Sequence, residues 1–399
     1  MPATDVECAD VYLNDLRVGL LERLPKGNRF TYQVQPPHPI AFNLPYRPEP
    51  YEQEGENLPP FFANLLPEGQ RLSALIQRVR TSPSDMFSLL LEAGPDCVGD
   101  VYAVPEGQSP HPEPLPTLRS LKSADFQALF QEVLNGPPDV SISGVQEKLV
   151  ISDAMQTLPI HASAIGSSIL KLSPPTFPHI VENEALFLDI AKRCGFQVNS
   201  ARIVTDRTGK TGLLVQRFDR LRRPGQPLLR IHQEDGCQLA DRYPADKYRL
   251  SLRQIAESIQ TFSAAPVPQI LELIRRYAFA YLIGNADLHA KNVSLYLEPN
   301  SGLAVQTPLY DIVSTAAYAH LETRMAMKMD AKDDRFRLGD FVAFGSRFEV
   351  SESAIVPNLQ NLASKLEAQV GRIQTLPYAK EDRERTLDLI SQRLTRLKT

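Results

Sequence analysis

The chain has 399 residues, more than one ordinary hydrophobic core uses, so its length predicts two or three domains. With 43% hydrophobic and 23% charged residues, the composition excludes a disordered chain and a fibrous repeat. A net charge of −4 supplies no global attraction for nucleic acid, so any contact with DNA has to be local.

The opening MPATDVECAD lacks the basic and apolar regions of an export signal, and the longest apolar stretch, Tyr277 to Ile283, is too short to span a bilayer. Cys8, Cys97, Cys194 and Cys237 are scattered, without a C-x-x-C pair. The expectation is a cytoplasmic protein with reduced thiols, no contact with membrane and no His/Cys metal cluster.

In chain order, the alternating VYLNDLRVGLL and FTYQV predict strands, broken by the turn-rich PPHPIAFNLPYRPEP. FFANLLPEGQRLSALIQRV predicts a helix. Proline crowds residues 104 to 118, which blocks continued secondary structure, so a first domain is expected over 1–105 and a proline-rich linker over 106–119. Residues 120–220 read as a mixed lobe: a helix, the loop SISGVQEK, strands at LVIS and SSILKLS, a helix from Glu182 to Cys194, and the hairpin RIVTD-RTGKTG-LLVQRF. Residues 221–399 read as a helical lobe, with Ile270, Ile274, Tyr277 and Tyr281 on one stripe. The predicted class is α+β, two-lobed, with a β-rich N-terminal part and an all-helical C-terminal lobe.

The residues richest in chemistry are Gly284-Asn285-Ala286-Asp287-Leu288-His289-Ala290-Lys291-Asn292. Asp287 and Asn292 have the separation found in kinase catalytic loops, where the aspartate takes the hydroxyl proton and the asparagine holds magnesium. The same spacing also suits a polar loop after a helix capped by Gly284. Asp311, in Leu309-Tyr310-Asp311-Ile312-Val313, is expected on a short buried strand, where a magnesium ion would offset its desolvation. Its other reading is a cap for a helix over IVSTAAYAH. Lys171, inside the apolar ILKL strand, either meets an anion such as phosphate or points to water from an edge strand. Glu184, on the following helix, is the carboxylate chosen to orient it. The small residues of Ser141-Ile142-Ser143-Gly144-Val145-Gln146-Glu147-Lys148 would let backbone amides approach phosphates. Asp235 reads as a helix-capping acid, Cys237 as a buried hydrophobe and His232 as a satisfied polar residue.

Taken together, SISGVQEKL, the Asn183-Glu184 pair, LLVQRFDR, HQEDGCQ, GNADLHAKN and LYDIVS resemble the HipA toxin kinase family, and FFANLLPEG and GPDCVGDV extend the resemblance into the first domain. The resemblance implies a two-lobed serine/threonine protein kinase using ATP and Mg2+, with Asp287 as base and Asn292 and Asp311 as the metal ligands. Ser143, Gly144, Val145, Gln146, Glu147 and Lys148 would cover the phosphates and Lys171 would hold them. Gln216, Arg217 and Phe218 would present backbone groups to adenine, with His289, Ala290, Lys291 and Tyr310 near the nucleotide. It further implies autophosphorylation at Ser141 or Ser143, a HipB-like helix-turn-helix antitoxin as partner, DNA contact only through that antitoxin, and an aminoacyl-tRNA synthetase as substrate. Two other readings of the same cleft are a catalytically silent corepressor and a small-molecule phosphotransferase. In the C-terminal tail, Leu387, Ile390, Leu394 and Leu397 form a helical stripe with Arg383, Arg385, Arg393, Arg396 and Lys398 nearby, either a solvated helix or a face for phosphate.

Overall fold

The structure is a computed structural model that describes residues 2–55, 57–109, 117–118, 123–134, 154–162, 166–223, 225 and 228–398. The Ser141–Lys148 loop and the strand expected at LVIS lie outside the described residues.

The N-terminal part is an antiparallel sheet of β1 (Cys8–Leu13), β2 (Leu16–Leu24), β3 (Gly27–Tyr32), β4 (Tyr51–Glu54) and β5 (Val101–Pro105), in the order β4-β3-β2-β1-β5. VYLNDLRVGLL forms the first hairpin, and its turn puts Asn14 at φ 50°, a left-handed conformation that asparagine tolerates. Val11, Leu21 and Phe30 are fully buried against Phe62 and Phe87. The helix expected over FFANLLPEGQRLSALIQRV is two helices, α1 (Pro60–Ala63) and α2 (Gly69–Val79). Pro67 lies in the break, where it has no amide to donate. Helix α3 (Met86–Ala93) starts on Asp85, whose side chain accepts the Ser88 amide.

A second sheet follows in the order β6-β7-β8-β10-β9, built from β6 (Thr117–Leu118), β7 (Gln156–Ala162), β8 (Gly166–Leu172), β9 (Ala201–Thr205) and β10 (Thr211–Gln216). Helix α4 (Phe126–Leu134) packs on it through Phe126 and Phe130, and α5 (Ile180–Arg193) is the predicted helix after β8. The predicted β9–β10 hairpin is present. Strand β8 lies between β7 and β10, so Lys171 is opposite Thr157 on one side and Leu213 on the other. It occupies the middle of the sheet, not an edge.

After the short pair β11 (Arg220–Leu221) and β12 (Leu229–Arg230), the chain is mainly helical: α6 (Gly236–Leu239), α7 (Leu252–Phe262), α8 (Pro266–Ile283), α9 (Leu338–Ser346), α10 (Glu352–Glu367) and α11 (Lys380–Lys398). Ile270, Ile274, Tyr277 and Tyr281 on α8 are all fully buried, as their spacing predicts. This lobe also holds one small sheet, β13 (Gln233–Asp235), β14 (Ser294–Leu297) and β15 (Ala304–Gln306), in which VSLYL forms the central strand. The helix expected over IVSTAAYAH does not form. Its Ser314 amide donates to Asn183 Oδ1, and both the Thr315 amide and hydroxyl donate to the Gly284 carbonyl, bonds that replace the helical ladder. On α11, Arg393 is buried, donating to the Tyr281 and Thr323 carbonyls, so it supports the core instead of facing phosphate. No helix among the described residues is long and apolar enough to cross a membrane.

A buried ionic knot joins the N-terminal sheet to the rest. Asp219 accepts from Arg217 Nε (3.0 Å) and Nη2 (2.7 Å), from Arg220 Nη1 (2.7 Å) and from the Gly99 amide (3.0 Å). Arg217 also reaches Asp96 at 2.7 Å, and Arg220 donates to the Gly99 and Cys97 carbonyls. Asp219→Asn leaves two buried guanidinium groups short of a counter-charge, and urea unfolding should show a loss of about 3–5 kcal/mol.

Candidate active site

Helix α8 ends on Gly284 at φ 74°, with the Gly284 amide bonded to Tyr281, the C-cap that its position predicts. The next residues turn tightly. The Ala286 amide donates to Thr315 Oγ1, the Asp287 amide to Asn285 Oδ1 and the His289 amide to Asn292 Oδ1. Asp287 is buried, and its Oδ1 accepts the Tyr248 hydroxyl at 2.9 Å. The loop also rests against the start of α6, where a Cβ on Gly236 would lie 2.6 Å from the Ala290 carbonyl oxygen. Only glycine permits that approach.

Lys171 lies at the centre of the second group. Its Nζ donates to both Glu184 oxygens, at 2.8 and 2.9 Å, and to Asp311 Oδ1. Burial disfavours the charge on Lys171, but the Asp311 and Glu184 carboxylates outweigh it and hold the pKa above the ordinary lysine value. Glu184 is the partner that sequence reasoning selected. Asp311 departs from expectation: it is on no strand. Leu309 makes a single bridge to Val198, and Asp311 then takes φ 53°, with its carboxylate 43% exposed. That left-handed turn lets the acid face Lys171 without being enclosed.

The other expected site residues divide. The Tyr310 hydroxyl bonds Ser294 Oγ at 2.6 Å and the Lys291 carbonyl at 2.7 Å, and its ring lies 5.7 Å from that of half-buried Phe218. Gln216 is exposed, with its amide donated to the Ser200 carbonyl, and the Arg217 amide goes to the Ser167 carbonyl. The Arg217 side chain turns away into the ionic knot. His289 is buried with both ring nitrogens unpartnered among the described residues; burial and then the Lys247 charge lower its pKa to about 3, so the ring is neutral.

Sequence reasoning missed Asn64, Glu68, Lys247 and Tyr248. Lys291 Nζ meets Asp235 Oδ2 at 2.6 Å, Asn64 Oδ1 at 2.8 Å and Glu68 Oε1 at 3.3 Å, while Lys247 Nζ meets Glu68 Oε2 at 2.7 Å. Two residues of the N-terminal part thus clamp a lysine inside the 284–292 loop, and the Lys291 ammonium faces this clamp. The signal available was the FFANLLPEG motif, which contains Asn64 and Glu68 but carries no hint of their partner. Asp235 caps α6 as predicted, accepting from the Cys237 and Gln238 amides, and Cys237 is fully buried.

A central-strand lysine paired with a helix glutamate and met by Asp311 from the mainly helical lobe that carries the Asp/Asn loop is the arrangement of a two-lobed, kinase-like scaffold. The chain belongs to the HipA family: the HipA N-terminal domain matches residues 9–104 and the HipA-like C-terminal domain residues 140–370. It is 30% identical over 348 residues to the serine/threonine-protein kinase toxin HipA of Shewanella oneidensis, covering 81% of this chain and 78% of that one. Y4mE of Sinorhizobium fredii is 34% identical over 312 residues, covering 73% and 72%. The solved Shewanella oneidensis complex of HipA, HipB and operator DNA matches in fold with a TM-score of 0.79 at 24% identity, over 97% of this chain and 96% of that one.

The clamp has a measurable acid signature. Burial pushes the Glu68 carboxyl up, but the Lys291 and Lys247 charges prevail and bring it down from 4.5 to about 2. A depressed carboxylate contributes stability that is whole above pH 4.5 and is lost as pH falls toward 2. Glu68→Gln should cost about 1–3 kcal/mol at neutral pH. Its unfolding free energy should also fall less steeply than that of the wild type across this acid range.

Proposed function

We propose that this chain is an ATP-dependent serine/threonine protein kinase acting as the toxin of a toxin–antitoxin pair. The observation that carries the reading is Lys171 on a central strand, buried with Glu184 and met by the part-exposed Asp311 from the lobe that also holds the Asp287–Asn292 loop. In this reading Lys171, fixed by Glu184, holds the ATP phosphates. Asp287, whose carboxylate is held by the Tyr248 hydroxyl, accepts the proton of the substrate hydroxyl as the phosphoryl group is transferred.

Asn292 and Asp311 fit a magnesium ion in donor type. Both offer oxygen, Asp311 is open to solvent on one side, and the Asn292 Oδ1 that accepts the His289 amide keeps a second lone pair. Held by Asn292 and Asp311, such an ion would supply positive charge to offset that of the ATP phosphates. Phe218 and Tyr310 form the apolar wall against which adenine packs, with the backbone of Gln216 to Phe218 as the hinge.

The division 1–105, 106–119, 120–220 and 221–399 follows from this reading as N-terminal subdomain, linker, nucleotide lobe and catalytic lobe. The loop Ser143 to Lys148 covers the phosphates. A phosphate on Ser141 or Ser143 adds about −2 charge beside those of ATP and suppresses binding. The Shewanella oneidensis HipA–HipB–operator DNA complex supports a HipB-like helix-turn-helix antitoxin as partner, with DNA reached through it. The protein substrate we assign is a cytoplasmic aminoacyl-tRNA synthetase.

Radiolabelled ATP tests the reading. Wild-type protein should incorporate label into residues 141–148, located by mass spectrometry, and Asp287→Asn should lower that rate by about 10²–10⁴-fold while still binding nucleotide. Wild-type protein that binds magnesium ATP but incorporates no label, alone or with synthetases, would contradict it and favour a silent corepressor.

A further inference from the structure

Away from the cleft, a second polar cluster is buried where the N-terminal sheet meets β13. His38 comes from the PPHPI turn, Asp100 from the residue before β5 and His232 from the residue before β13. His232 Nδ1 lies 2.9 Å from Asp100 Oδ1, and His38 Nε2 lies 3.2 Å from Asp100 Oδ2. One ligand atom from each of the three residues lies within 4.8 Å of the others. Asp100 and His232 are buried, and the His38 side chain is 25% exposed.

The outer hydrogen bonds fix how these rings face one another. His232 Nε2 is 3.0 Å from Glu234 Oε1, which also accepts the Phe42 amide at 2.6 Å, and His38 Nδ1 is 2.9 Å from the Pro39 carbonyl. Carboxylate and carbonyl oxygens accept, so these two nitrogens carry the hydrogens. In neutral rings, His232 Nδ1 and His38 Nε2 are then lone pairs, and both face Asp100. Two lone pairs and a carboxylate repel unless positive charge sits among them. A proton on His232 is one such charge: burial disfavours it, but the Asp100 and Glu234 carboxylates raise the ring's pKa to about 10, and the His38 Nε2 lone pair still faces Asp100. Extra protons on both rings would put two imidazolium ions 5.0 Å apart between centroids. A single divalent cation satisfies all three acceptors at once.

Two imidazoles and a carboxylate suit zinc and its neighbours rather than magnesium, and three protein ligands with an open fourth position is a familiar zinc arrangement. Metal-binding histidines also donate their other ring nitrogen to a carboxylate or backbone carbonyl, the parts played by Glu234 and Pro39. We propose that His38, Asp100 and His232 hold a zinc-class divalent ion that fastens the N-terminal sheet to the C-terminal lobe. Asp235 follows this site by three residues and contacts Lys291, so the fastening bears on the same loop that Glu68 clamps. The proposal is independent of the kinase reading.

The test uses untagged full-length protein, stripped with chelator and dialysed. Zinc, but not magnesium, should raise the melting temperature, and elemental analysis should find one zinc per chain. Cobalt(II) should give the visible absorption of a low-coordinate nitrogen/oxygen site. Glu234→Gln should weaken zinc binding about 10–100-fold. His38→Ala, at a part-exposed position, should keep the wild-type circular dichroism spectrum and lose the cobalt absorption. No zinc uptake by the wild type would overturn the proposal, as would equal uptake by wild type and His38→Ala.

Discussion

Lys171 is on the central strand β8, between β7 and β10, and its side chain is almost wholly withdrawn from water. Unpaired, it would carry a desolvation penalty of several kcal/mol. The fold removes that penalty by bringing a carboxylate from each side. Helix α5 supplies Glu184 from within the same lobe, and the turn after Leu309 supplies Asp311 from the other. The first partner is enclosed, while the second is nearly half exposed. Lys171 therefore has one enclosed counter-charge and one that is open to solvent.

The constraint propagates outward. Where Asp311 reaches Lys171, residues 312–320 form no helix, and Ser314 and Thr315 bond instead to Asn183 and Gly284, which ties the acid's turn to both α5 and the end of α8. Gly284 begins the Asp287 loop, and that loop is held from its far side by Asn64, Glu68 and Asp235 on Lys291. The N-terminal sheet is thus part of what shapes the cleft, and its attachment is ionic: the Asp219 knot, the Glu68 clamp and the His38–Asp100–His232 cluster. Buried ion clusters of this kind are strongly destabilised by removal of one member, because the remaining charge is left uncompensated.

Much of this was legible in the sequence where chemistry and local pattern coincide. The α8 stripe, the Gly284 cap, the β9–β10 hairpin and the Lys171–Glu184 pair each follow from residue type and spacing within a short window. Asp311 was found as a residue but given the wrong backbone, because apolar neighbours suggest a strand whether or not a partner strand is present. IVSTAAYAH has helical apolar spacing, yet its Ser and Thr groups find better bonds to distant residues. The missed residues share one cause. Glu68 and Lys291 are more than two hundred positions apart, as are Asn64 and Lys291, and no periodicity encodes a pairing set by tertiary contact. His232 is the satisfied polar residue that its sequence reading expects, bonded to Asp100 and Glu234, while its grouping with His38 is invisible in the sequence because the two lie far apart.

The central claim is that Asp311, facing Lys171, belongs to a magnesium nucleotide site. Calorimetric titration of ATP into wild type and Asp311→Asn, with and without magnesium, tests it most directly. The account predicts that magnesium tightens ATP binding to the wild type and that Asp311→Asn loses this enhancement while still binding ATP alone. Equal enhancement in both proteins, or no binding of ATP by the wild type, would contradict it.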